Sequence, residues 1–147
     1  PSLYAHVDGL GDLRCRLAVR GARELAEQLQ AAAAGRAGTD ALKATAEAYR
    51  SYAHQHPGTY AALQIARVGG DGQAARHLVD VVLAVLRGYG LGGDDAVHAA
   101  RVLRAALHGF VSLEAERGFG LPLPLDDSFE LLVTVVDQGL ETLRAGA

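Results

Sequence analysis

Apolar residues recur every three or four positions along almost the whole chain, and this spacing is the feature that most restricts its fold. Such a repeat places apolar side chains on one face of an α-helix. No run of four to eight β-branched residues alternates cleanly between turns, as the strands of a half-buried sheet would require. The pattern therefore predicts an all-α fold of about six helices, separated by glycine and proline.

The length of 147 residues suits one compact domain. Within it, the positions of glycine and proline give approximate bounds for the helices. Thr39 or Asp40 is expected to cap the second helix by accepting free backbone N–H groups of its first turn. The segments are expected over residues 9–34, 39–56, 57–67, 73–87, 94–117 and 127–144.

The last two predicted helices carry more apolar surface than one small domain can bury by itself. A second copy of the chain would cover this surface, so we expect a homodimer in which these helices form a four-helix bundle. The apolar linker at residues 118–125 is expected to pack back onto the bundle. The residues expected at the dimer interface are Leu103, Leu107, Leu132, Val136 and Leu140.

Charge and composition exclude several classes of protein. The formal charge is −3, which argues against a nucleic-acid-binding surface formed by these residues alone. No apolar stretch approaches the roughly 20 residues of a membrane span. The single cysteine, Cys15, excludes an internal disulfide framework and fits a reducing cytosol, so a cytoplasmic location is expected.

No catalytic or metal-binding constellation is recognisable. The acidic pairs Asp94–Asp95 and Asp126–Asp127 stand at predicted helix starts, where capping and the helix dipole explain them. His54 and His56 would point about 200° apart on a helix, so they suit one ion poorly. We therefore expect neither an enzyme nor a metal site, and no cofactor.

Aromatic and polar residues on the middle helices are candidates for a small-molecule site. An apolar cavity with a few polar groups is the usual form of a small-molecule site, and these side chains could converge on one between helices. The alternative is a packed core in which the hydroxyl groups bond backbone or water. The candidates for a pocket that takes a small apolar or aromatic ligand are Tyr49, Tyr52, Tyr60, Gln64, His108 and Phe110.

Several segments, in order, resemble one family. Leu3-Tyr4-Ala5-His6-Val7, a short turn and a long leucine-bearing helix resemble the end of the recognition helix in TetR-family transcriptional regulators. The stretches at residues 48–60, 107–114 and 118–129 resemble the C-terminal regulatory domain of the subgroup named for a Trp-His-Gly motif. Leu107 occupies the tryptophan position of that motif, and Gly9–Asp12 lacks the lysine that many members place after the recognition helix.

The resemblance implies a division of the chain and a function. Residues 1–8 would be the remnant of a DNA-recognition helix, and residues 9–147 a ligand-binding and dimerisation domain. Tyr4 and His6 match positions that contact the DNA backbone, although either side chain could instead pack the helix onto its neighbour. The implied function is a repressor whose N-terminal domain binds operator DNA and releases it when a small molecule binds. The alternative is an autonomous helical binding or scaffold protein without DNA binding.

Overall fold

The computed structural model describes residues 9–65 and 72–146, and every regular element within these ranges is an α-helix. This confirms the all-α fold and its six helices. Tyr4, His6 and the expected end of the third helix at Arg67 lie outside the described residues. The helices are α1 (Leu10–Ala33), α2 (Gly38–Gln55), α3 (Pro57–Ile65), α4 (Gly72–Arg87), α5 (Gly93–Ala115) and α6 (Leu125–Gly146).

Helix α2 lies at the centre of the packing and contacts all five other helices. Helix α1 packs against α2, α3 and α4, and α5 packs against α2, α4 and α6. Leu25 and Leu29 of α1 face this core, as the sequence pattern predicts, whereas Leu10 at the start of the helix is 72% exposed. The most deeply buried side chains include Leu25, Leu42, Tyr52, Leu86 and Tyr89.

The start of α2 differs from the expected cap. No side chain caps the first turn of this helix, which already begins at Gly38. The Thr39 hydroxyl instead donates to the Asp137 carboxylate of α6, at 2.9 and 3.0 Å from its two oxygens. The capping prediction for Thr39 and Asp40 is therefore wrong, because a tertiary hydrogen bond occupies the Thr39 hydroxyl.

Helix α1 approaches α3 closely at Gly21. A Cβ atom added there would lie 2.9 Å from Cγ2 of Thr59 and 3.2 Å from its backbone oxygen. Real side chains do not accept such a distance from another carbon, so glycine at this position allows the two helices to touch.

The linker between α5 and α6 packs back only in part. The Phe119 ring lies against Phe110, with 5.0 Å between ring centroids. Leu121 and Leu123 are 77% and 69% exposed, so the expectation that the whole linker packs onto the bundle is wrong. No helix within the described residues is long and apolar enough to cross a membrane.

Candidate functional site

A cavity of about 510 Å³ lies among the first five helices. Its volume falls in the range of roughly 300–1,000 Å³ that is typical of small-molecule sites. Leu25 and Leu29 form its wall on α1, and α4 and α5 supply most of the remaining surface. The apolar lining residues are Leu25, Leu29, Leu63, Ala75, Leu78, Val79, Val82, Leu83, Val97, Ala100, Leu103 and Leu107.

Two tyrosines and a histidine form a hydrogen-bonded chain that begins at the cavity wall. The Tyr49 hydroxyl, on α2, lies 2.8 Å from the Tyr60 hydroxyl on α3. The Tyr60 hydroxyl lies 2.6 Å from Nδ1 of His108 on α5. Tyr49 lines the cavity, so this series of hydrogen bonds links the cavity wall on α2 to α3 and α5.

On the side of Tyr49 away from Tyr60, the series of polar side chains continues to Gln64 and Arg104. Nη2 of Arg104 donates to the side-chain oxygen of Gln64 at 3.3 Å. The Gln64 amide lines the cavity with Tyr49 and lowers the pKa of the Tyr49 hydroxyl. An amide both accepts and donates, so this order allows Tyr49 to donate to Tyr60, and Tyr60 to donate to His108. Arg104, Gln64, Tyr49, Tyr60 and His108 are called the polar chain below.

Both phenol groups of the polar chain are held in the neutral form. Burial raises the pKa of the Tyr49 hydroxyl above its ordinary value, and the hydrogen bond with Tyr60 opposes this shift. Burial also raises the pKa of the Tyr60 hydroxyl, and the hydrogen bond with Tyr49 raises it further. At neutral pH each tyrosine therefore keeps its proton for a hydrogen bond.

Thr45 places an unsatisfied hydroxyl in the cavity wall. Its side chain is 2% exposed, and Oγ1 has no hydrogen-bond partner within residues 9–65 and 72–146. Thr45 lies one helical turn before Tyr49, so both residues occupy the same face of α2. Buried polar atoms are usually paired, and an oxygen or nitrogen of a bound molecule would satisfy this one.

The two charged residues that line the cavity are both cations. They are Arg101 and Arg104, which lie one turn apart on α5, and the described part of the lining contains no carboxylate. The ion pairs among the described residues do not include either arginine. The cavity therefore has apolar walls, a few hydroxyl and amide groups and a positive edge.

The structure brings part of the predicted pocket together. Tyr49 and Gln64 line the cavity, whereas Tyr60 and His108 lie one and two hydrogen bonds behind Tyr49. Tyr52 lies elsewhere, because its hydroxyl donates to Glu24 of α1 at 3.1 Å.

Phe110 also lies away from the cavity, in an aromatic cluster beneath Arg50. Its ring centroid is 5.1 Å from that of Phe129, and the Arg50 guanidinium carbon is 4.8 Å from the Phe129 centroid. Arg50 is also paired with Glu114 of α5, with nitrogen–oxygen distances of 2.6 and 3.0 Å. These side chains fasten α2 to α5 and α6.

Sequence reasoning missed the apolar lining of the cavity and three of its polar residues, namely Thr45, Arg101 and Arg104. Thr45 is a small polar residue among the aliphatic and aromatic residues of the buried stripe on α2, and that difference was the available signal. Arg101 and Arg104 had no such signal, since arginines on a helix surface are ordinary. Only the packing of α3 and α4 beside them shows that they face a cavity.

The exposed apolar residues of α5 and α6 differ from those predicted at the dimer interface. Leu103, Leu107 and Leu140 are at most 4% exposed, because the chain's own core covers them. Leu132 and Val136 are partly buried against the same core. The large apolar side chains that remain exposed on these two helices are Val97, Val102, Leu113, Leu131, Val135 and Leu143.

Residues 42–136 match the model of the family described as tetracyclin repressor-like, C-terminal domain. Over 118 residues the chain is 48% identical to the uncharacterized HTH-type transcriptional regulator Rv0681 of Mycobacterium tuberculosis, covering 78% of this chain and 54% of that protein. It is 37% identical over 121 residues to the uncharacterized HTH-type transcriptional regulator YobS of Bacillus subtilis, covering 81% of this chain and 63% of that protein. The chain thus spans roughly half to three-fifths of the length of these curated relatives.

Solved structures share the fold. A protein of unknown function from Rhodococcus sp. RHA1 superposes with a TM-score of 0.78 at 23% identity, and the match covers 91% of this chain and 76% of that one. The crystal structure of SCO4313, described as a regulatory protein, gives a TM-score of 0.72 at 25% identity, again over 91% of this chain and 76% of that one.

Proposed function

This chain belongs to the tetracyclin-repressor-like (TetR) family of transcriptional regulators, as its C-terminal domain, and on that premise we propose that it is the ligand-sensing and dimerising part of a transcriptional repressor. A small molecule that enters the cavity would cause the intact regulator to release its operator DNA. The observation that carries this proposal is a cavity of about 510 Å³ directly against α1, with a buried hydroxyl that has no partner among the described residues.

Helix α1 is the element that would transmit binding. It begins at Leu10, next to residues 1–8, which we propose to be the end of the DNA-recognition helix. It also forms a cavity wall through Leu25 and Leu29, more than three turns further along. A helix of this length is stiff, so a shift at the cavity moves the end that carries the DNA-binding domain.

A second contact links the polar chain to α1. Tyr60 follows Thr59 in α3, and Thr59 packs against Gly21 of α1. A ligand that displaces Tyr49 and Tyr60 would therefore push on α1 through α3 as well. The size of the effect is limited by the preference of the ligand for one of the two conformations.

The exposed apolar residues of α5 and α6 support a homodimer. Val102 of α5 and Leu131 and Val135 of α6 are each about 60% exposed, and exposed apolar surface of this kind marks interaction sites. A second copy would bury this face in a four-helix bundle and set the distance between two DNA-recognition helices. Half-sites are about 34 Å apart, so a change in that distance would lower operator affinity.

Tyr4 and His6 are proposed to bond phosphate oxygens of the operator. Such contacts position a protein on DNA without reading the bases. A cytoplasmic location accompanies a protein that acts on operator DNA.

The test uses the intact regulator, including the segment that precedes this chain in its gene. Small apolar and aromatic compounds are screened by thermal shift, and each stabilising compound is tested for release of DNA from the region upstream of that gene. Ala100 lines the cavity and Ala84 of α4 is exposed outside it, so Ala100→Phe should abolish both responses and Ala84→Phe should preserve them. Compounds that bind in the cavity and leave DNA affinity unchanged would contradict the proposal.

A further inference from the structure

We propose that the molecule recognised by the cavity is an apolar monocarboxylate, bound with its carboxylate at Arg104 and its hydrocarbon body between α1, α4 and α5. This inference rests on the proposed ligand-sensing function and names the chemical class of the ligand.

The charge of the lining selects an anion. The chain as a whole has a net charge of −3, yet the two charged side chains of the cavity, Arg101 and Arg104, are both positive. Neither belongs to an ion pair among the described residues, whereas Arg50 binds both Glu114 and Asp126. Two cations that pair with no carboxylate of the described residues, at the edge of an apolar cavity, favour a ligand that supplies the negative charge.

The geometry of Arg104 leaves room for a carboxylate. Among the described residues its side chain donates one hydrogen bond to another side chain, the 3.3 Å contact with the side-chain oxygen of Gln64. A guanidinium group has five N–H donors in a planar fork, so further donors are available to the two oxygens of a carboxylate. Arg104 is exposed to solvent, so the anion at this edge keeps part of its hydration and avoids the full penalty of burial.

The interior of the cavity specifies the rest of the ligand. Leu25, Leu29, Leu78 and Val82 present aliphatic surface from two helices, which suits a hydrocarbon chain or ring. The buried hydroxyl of Thr45 has no hydrogen-bond partner in the part of the chain that the structure describes, so the wall is not purely apolar and a ligand oxygen has a donor there. An oxygen-bearing apolar molecule fits both features, and a bare hydrocarbon fits only the first.

The test compares octanoate with octanamide, which has the same chain length and no charge, on the intact protein by isothermal titration calorimetry. We expect octanoate to bind at least about tenfold more tightly at neutral pH and low salt, and the difference to shrink as salt is raised. Arg104→Gln keeps hydrogen-bond donors and removes the charge, so it should bring the ratio of the two affinities close to one. Arg87→Gln, at an exposed arginine of α4 outside the cavity, should leave the ratio unchanged.

Equal binding of the two compounds by the unmodified protein would overturn the proposal, as would no detectable binding of octanoate. A preference for octanoate that survives in both Arg104→Gln and the double variant Arg101→Gln/Arg104→Gln would also overturn it. A neutral compound that binds in the cavity and releases operator would refute the ligand class and leave the proposed function standing. Octanoate that binds through Arg104 without any effect on operator affinity would support the ligand class and refute the repressor function.

Discussion

The hydroxyl oxygens of Tyr49 and Tyr60 lie 2.8 Å apart, and this hydrogen bond joins the cavity wall on α2 to the short helix α3. The same Tyr60 hydroxyl is bonded to His108 of α5. A single phenol group therefore fixes the relative positions of three helices around the cavity.

Tyr60→Phe should lower the free energy of unfolding by about 1–3 kcal/mol, because it leaves buried partners without a hydrogen bond. Chemical denaturation measures the change. A double-mutant cycle with Tyr49→Phe provides the control, since the second substitution should then have a smaller effect than it has alone. Strict additivity of the two effects would show that the hydroxyl groups do not interact.

Gly21→Ala should also destabilise the chain, although alanine is the better helix former. The new Cβ would meet Cγ2 of Thr59 at 2.9 Å, and overpacking of this kind typically costs about 1–3 kcal/mol. Thr59→Ser removes that methyl group and should restore part of the loss. Gly11, in the first turn of α1, has no atom within 4 Å of an added Cβ, so Gly11→Ala is the matched control and should cause no loss.

The Arg50–Glu114 ion pair should make stability depend on acid pH. The hydrogen bond from Arg50 lowers the pKa of Glu114 below its ordinary value of 4.5. A carboxyl group with a lowered folded-state pKa contributes stability above its unfolded pKa, and the contribution is lost as pH falls through the folded value. The contribution of Glu114 is therefore complete at neutral pH and decreases below about pH 4.5.

Glu114→Gln should cost roughly 3 kcal/mol at neutral pH, since Arg50 is 12% exposed and would lose its closest partner. It should also flatten the fall in stability between about pH 5 and pH 3, as measured by urea denaturation at each pH. Glu27→Gln, at an exposed position of α1, is the control and should retain the slope of the unmodified chain. An unchanged slope in Glu114→Gln would contradict this assignment.

Two substitutions on α6 test whether its exposed apolar face, and not its buried core residues, forms the proposed dimer interface. Val135 is 59% exposed, so Val135→Glu should yield a folded monomer in analytical ultracentrifugation. Leu140 is 3% exposed in the core of the single chain, so Leu140→Glu should unfold it. Ala84→Glu, on the exposed surface of α4, should leave the dimer intact. A dimer that persists in Val135→Glu would exclude this face.

The helices could be predicted from the sequence because apolar periodicity and glycine breaks are local properties. The apolar face left exposed on α5 and α6 could not be assigned residue by residue, because Leu103 and Val102 are both apolar and adjacent in the sequence. Only the packing of the other helices determines that the first is buried and the second exposed. Thr39 illustrates the same limit, since its best partner is 98 positions away in the sequence.

The sequence predicts a cavity between the middle helices, but it identifies only some of the residues that line it. Tyr49 and Gln64 were recognisable as polar groups on middle helices, and both line it. Tyr52 has the same residue type and lies on the same helix, yet its hydroxyl points to Glu24. Which tyrosine faces a cavity depends on the direction of each side chain among three helices, and spacing along one helix does not contain that information.

The most direct test of the account is the affinity of the intact regulator for a cavity ligand, measured with and without operator DNA by titration calorimetry. Octanoate serves as the ligand, or a compound from the screen that Ala100→Phe excludes. If the cavity and the DNA-binding segment are coupled through α1, operator must weaken ligand binding by the same factor by which ligand weakens operator binding, typically about 5–150-fold. The account predicts equal factors within this range. Ligand affinity that is identical in the presence and absence of bound operator would contradict it.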